Sequence, residues 1–179
     1  FMPPLIGVYA SYLWRLEHSG SNWNMVLVSL PAWRLVFSKI AVCSAVTLIT
    51  LVWLCFLYIL CGLHVGLTAP IPGELAEWIA CGVLGGTAVC AAQCFLSLVI
   101  RSFAIPIGIG LLGGFIGRAA VASEHFYLVP YSLMSMGMRA NNPDLSVDLA
   151  AFVGCSVFFV VLFFMLSVWH IKSHDVKTQ

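Results

Sequence analysis

The side chains in this chain that could do chemistry are few, and their spacing serves reactions poorly. Seven cysteines (Cys43, Cys55, Cys61, Cys81, Cys90, Cys94 and Cys155) all fall within apolar runs. None forms the C-x-x-C spacing of a zinc or dithiol site. Cys90 and Cys94 share a helical face but have no His or carboxylate beside them, which suits small buried hydrophobes. His170 and His174 are four residues apart and could hold a metal on one face. Lys172 between them and Asp175 after them instead mark the frayed end of a helix leaving a membrane. Glu74 and Glu77 stand at the start of an apolar run, within reach of water. Gln93 lies deep in that run, where an amide serves to bond a neighbouring helix. No H-E-x-x-H, paired acids or partnered nucleophile occurs. The sequence thus offers no catalytic, cofactor-binding or metal site.

The elements around these residues are apolar. Of 179 residues, 61% are hydrophobic and 8% charged, and the mean hydropathy is +1.03. A soluble domain is nearer a quarter charged, and so few charges could not cover its surface. The chain reads as an all-α membrane protein, a polytopic helical bundle. Its net charge of +1 excludes nucleic acid as a partner, which would need a basic patch. Apolar runs at 40–63, 76–100 and 149–171, with a shorter Gly-rich run at 103–117 followed by Arg118, predict four full spans at 40–63, 76–100, 103–122 and 149–171. A fifth run, 1–14, starts on Phe1 and is expected to be the end of an N-terminally truncated span, with another span upstream.

Two connections are long. Residues 15–39 begin with a polar turn and continue amphipathically through Val26, Leu27, Leu30, Trp33 and Val36, with Pro31 as a restart point. An interfacial helix along the inner surface is expected there, with Arg34 and Lys39 near lipid phosphates. Residues 123–148 contain a semi-apolar stretch too short to cross, interrupted by Pro130, which predicts an outer re-entrant hairpin. With 15–39 inside, six basic residues (Arg15, Arg34, Lys39, Arg101, Lys172, Lys177) face the cytoplasm. Arg118 and Arg139 face out, so the positive-inside rule holds and the C-terminus is cytoplasmic.

Glycines supply a further pattern. Gly82 and Gly86, Gly110 and Gly114, and Gly113 and Gly117 are small-x-x-x-small pairs that let helix backbones approach closely. Their role is helix packing, a subunit interface or a gate. Pro106, just before two of these pairs, is expected to kink the fourth span.

Glu17, Gly20, Trp23, Leu30-Pro31 and, eight residues on, Lys39 resemble the loop after the second span of type-2 ABC transporter permeases. The run Ile105-Pro106-Ile107-Gly108-Ile109-Gly110 with Gly113-Gly114, followed by Tyr127-Leu128-Val129-Pro130-Tyr131-Ser132, is similar to the lantibiotic-protection branch of that family. The resemblance maps the chain onto spans two to six of a six-span permease in a bacterial cytoplasmic membrane. It implies a second permease subunit, identical or related, and a separate ATP-binding cassette subunit that carries ATP and Mg. It also implies a coupling helix in 15–39, presenting Arg15, Glu17, Gly20, Trp23, Pro31 and Arg34 to that ATPase. The implied cargo is a lantibiotic-type or other amphipathic antimicrobial peptide, and Pro130 and Tyr131 belong to an outer gate.

The chain carries no G-x-x-x-x-G-K-[ST] loop, so energy must enter through a partner. Its interior is nearly free of ionisable groups, which weighs against an ion-coupled carrier. The same architecture could export drugs, lipids or ions, or act as a non-transporting scaffold.

Overall fold

The computed structural model describes residues 2–18, 23, 29–66, 73–121, 126–139 and 147–173. Among them there are six α-helices and no strand. They are α1 (Met2–His18), α2 (Ala32–His64), α3 (Leu75–Val99), α4 (Ala104–Val121), α5 (Pro130–Gly137) and α6 (Leu149–Ser173). A short 3₁₀ turn, Phe126–Leu128, precedes α5. Four of the helices, α2, α3, α4 and α6, are long and apolar enough to cross a membrane. Within a bilayer the helix satisfies its own backbone, which is why hydropathy alone locates these elements.

Helix α2 differs from expectation at its start. It runs without a break for 33 residues from Ala32, about 50 Å at 1.5 Å per residue, against a hydrocarbon core of about 30 Å. The expected boundary at Lys39 is therefore no break: the second half of the connecting segment and the span share one helix. Pro31, at the N-cap with φ −65° and ψ 142°, sets where that helix begins. It fixes φ and lacks an N–H that the first turn would leave unpaired anyway.

Helix α3 is the centre of the bundle and touches every other helix. In its most apolar window 56% of residues are buried, against 11% in α6. Small residues make this possible, since Gly82, Gly85, Gly86, Ala88, Ala91 and Ala92 are all buried on α3. Helices α2 and α6 turn large side chains such as Phe37, Ile49, Trp53, Phe158, Met165 and Trp169 outward, as lipid-facing helices do. Helix α1, at 17 residues, packs on α4 and α3 through Ile6, Ala10 and Trp14, all fully buried. Asp148 caps α6 by accepting from the Ala150 and Ala151 amides at 3.0 and 3.3 Å, the role expected of an acidic residue at a helix start.

Candidate functional site

Two constructions in this bundle hold the residues that the sequence singles out. The first lies where α1 ends and α2 begins. Glu17 and Lys39, 22 residues apart, form an ion pair, and their side chains are only 9% and 13% exposed. The Lys39 ammonium also donates to the Leu13 carbonyl at 2.8 Å and lies 5.7 Å from the centre of the Trp14 ring. Trp14 in turn stacks on Trp23, with centroids 5.8 Å apart and planes inclined by 17°. Trp23 is 3% exposed, so the connecting segment is pinned into the core at its middle as well as at both ends. His18 tilts against the same indole and bonds through Nε2 to the Ser97 carbonyl at 3.0 Å. Ser11 and Ser97 hydroxyls are 3.2 Å apart, tying α1 to the end of α3.

This arrangement corrects one expectation. Glu17 does not protrude toward a partner; it is buried and occupied by Lys39. Arg15 and Arg34 are exposed, as is Pro31. The Arg15 guanidinium lies 5.9 Å from the Phe103 ring centre and that of Arg34 5.2 Å from the Trp33 ring centre. Gly20 lies outside the described residues.

The second construction holds α5. This eight-residue helix starts at Pro130 and packs chiefly on α3 and α4. Its buried face is Tyr131, Ser132, Leu133, Met134, Met136 and Gly137. The fit depends on missing side chains. A Cβ on Gly85 would come within 2.6 Å of the Leu133 backbone, and one on Gly117 within 2.7 Å of the Tyr131 backbone. From the other side, a Cβ on Gly137 would meet the Cys81 backbone at 2.6 Å. Gly113 lies under the Tyr131 ring, and Gly82 faces the Met138 side chain.

The three glycine pairs thus face different neighbours. Gly82 and Gly86 face Met138, Met134 and Thr47; Gly110 and Gly114 receive Pro3 of α1; Gly113 and Gly117 receive Tyr131 and Ser132. Gly85, Gly137 and Lys39 carry as much of the construction as the residues predicted. Gly85 was legible as half of a Gly-Gly pair, but sequence spacing could not say which of the two faces a backbone.

Gln93 joins the pieces and is fully buried. In the amide orientation that satisfies every neighbour, its nitrogen donates to the Pro106 carbonyl at 3.1 Å. Its oxygen accepts from the Gly110 amide at 3.2 Å and the Tyr131 hydroxyl at 2.9 Å. The side chain therefore bridges one turn of α4 just after its proline and ties it to α5. Burial pushes the Tyr131 phenol up to about 12, so it stays a neutral donor. Among the described residues no three His, Cys, Asp or Glu side chains gather as metal ligands would.

A family model described as an ABC-2 family transporter protein matches residues 1–117. That range takes in α1, α2, α3 and α4 as far as Gly117, including the whole Glu17–Lys39 construction. Among curated proteins and solved structures, nothing matches the chain.

Proposed function

Because the chain belongs to the ABC-2 transporter family, and so is a multi-pass membrane component of an ABC transporter, we propose that it is the permease of an exporter whose ATPase is a separate subunit. The cargo we propose is an amphipathic antimicrobial peptide of the lantibiotic type, and the setting a bacterial cytoplasmic membrane with the C-terminus inside. A second permease copy, or a related subunit, covers part of the outward apolar faces of α2 and α6.

The observation that carries this reading is the pinned segment between α1 and α2. A force applied to Trp33 and Arg34, in the first turn of α2, passes directly into a spanning helix, since no break separates them from residues 40–63. The Glu17–Lys39 pair and the Trp14–Trp23 stack pass it on to α1. That is what a coupling element requires: an exposed contact surface rigidly joined to two helices at once. The outer construction supplies the other requirement. Helix α5 is held by close contact with α3 and α4, so a relative shift of those two helices must move it, and it serves as the gate.

The test is expression of the full chain in cells that carry its candidate ATP-binding subunit, followed by purification and peptide-challenge assays. The expected outcome is a stable complex whose ATPase is stimulated by the peptide, and cells that tolerate it. An Arg34→Glu variant should keep membrane insertion and lose most of the stimulation. A chain that brings down no P-loop ATPase would leave a scaffold. A stimulated complex that gives no peptide tolerance would keep the permease and replace the cargo.

A further inference from the structure

At the end of the bundle where α1 finishes and α4 begins, a cavity of about 320 Å³ opens between Arg15, His18, Ser97, Arg101, Ser102 and Phe103. Among the described residues its lining contains two guanidinium groups, an imidazole and hydroxyls, and no carboxylate. Among the described residues no carboxylate pairs with Arg101. Phe103 lies against the Arg15 guanidinium at 5.9 Å, which limits the directions that group can take. His18 is fixed by its Nε2 bond to Ser97, while its Nδ1 is buried and has no partner among the described residues.

Converging cations on a short, polar, acid-free wall suit an anion, and guanidinium forks match phosphate oxygens in particular. The volume is near the lower limit of organic-ligand pockets, roughly 300 Å³, so it accommodates a phosphate together with its ester substituents. Ser97 closes one spanning helix and Phe103 precedes the next, which places the cavity at the depth of lipid headgroups. We propose that this cavity binds a phosphate ester at the membrane surface, the headgroup of an anionic phospholipid, through Arg15 and Arg101 with His18 beside them. The assignment holds whether or not the chain exports peptides; because Arg15 also belongs to the expected coupling segment, the test varies Arg101.

Native mass spectrometry of the full chain in neutral detergent tests it, with phosphatidylglycerol or phosphatidylcholine added. Phosphatidylglycerol should be retained preferentially. Arg101→Gln should weaken that retention roughly tenfold, the scale of one charge-assisted hydrogen bond, and Arg101→Lys should restore part of it. Arg118→Gln, at the other end of α4, should change nothing. Glycerol 3-phosphate is the soluble arm: if it binds and phosphatidylglycerol does not, the phosphate site stands and its source is a free solute. Equal retention of the two lipids without glycerol 3-phosphate binding would overturn the proposal, as would an equal loss in the Arg101 and Arg118 variants.

Discussion

The two ends of this bundle are fastened by opposite means. Where α1 meets α2, a buried ion pair, a lysine-capped carbonyl and stacked indoles hold the connecting segment. Around α5, the fastening is the absence of side chains: Gly85, Gly117 and Gly137 bring backbones so close that a methyl group would collide. The first fails when a group is removed, because its partner is left charged or unpaired in an apolar setting. The second fails when a group is added. A charged knot resists small displacements yet can re-form with another partner, which suits the coupling role proposed for this segment. A glycine seam has no directional bond of its own, so the helices can slide and α5 must follow.

The largest effect should come from the charged end. Lys39→Met leaves Glu17 buried without its cation, and loss of one partner of a buried pair costs about 3–5 kcal/mol. The lower figure applies, because both side chains keep about a tenth of their exposure. Unfolding of the purified chain in mild detergent measures it. The double variant Glu17→Gln, Lys39→Met should regain most of the loss, since no uncompensated charge then remains. A double variant as unstable as Lys39→Met would show that the lysine acts through Leu13 and Trp14 instead, and the contrast between the two ends would weaken.

Next in size is the seam. Gly85→Ala places a methyl within 2.6–2.7 Å of the Leu133 and Met134 backbone, which cannot rotate away as a side chain would. Overpacking of this sort costs about 1–3 kcal/mol. Gly108→Ala on α4 is the control, because nothing lies within 4 Å of its Cβ. It should be neutral or slightly stabilising, since alanine is the better helix former. Equal losses in the two variants would mean that helix flexibility, not close approach, is what the glycines supply.

Most of the bundle was legible because a membrane forces it to be. Residues 76–100 became Leu75–Val99 and 149–171 became Leu149–Ser173, as expected where apolar length alone decides the element. The ion pair was not legible: Glu17 and Lys39 were both visible, yet nothing in a 22-residue separation pairs them. Charge near a membrane edge is ordinarily solvated, so Glu17 was expected to point outward. The glycine pairs were legible as close-packing positions, but their partners were not. Periodicity says which residues share a face and is silent on which neighbour covers it, so the stretch around Pro130 was visible as a short element, but not as the one that Gly85 and Gly117 receive.

The smallest expected effect tests the contrast most directly. Tyr131 is held in two ways, by its ring over Gly113 and by its hydroxyl, which donates to the Gln93 oxygen at 2.9 Å. Tyr131→Phe removes the second and keeps the first. The phenol leaves with its own proton, so no donor is stranded. Gln93 retains Pro106 and Gly110 as partners, so its buried amide is still satisfied. The loss should therefore be close to the average for a polar contact between membrane helices, about 0.6 kcal/mol, and well below that of Gly85→Ala. A loss of 2 kcal/mol or more, on the scale of stranding a buried polar group, would mean that α5 hangs from a hydrogen bond. Helix α5 would then be fastened in the same manner as the segment between α1 and α2, by a bond that must break before the helix can move.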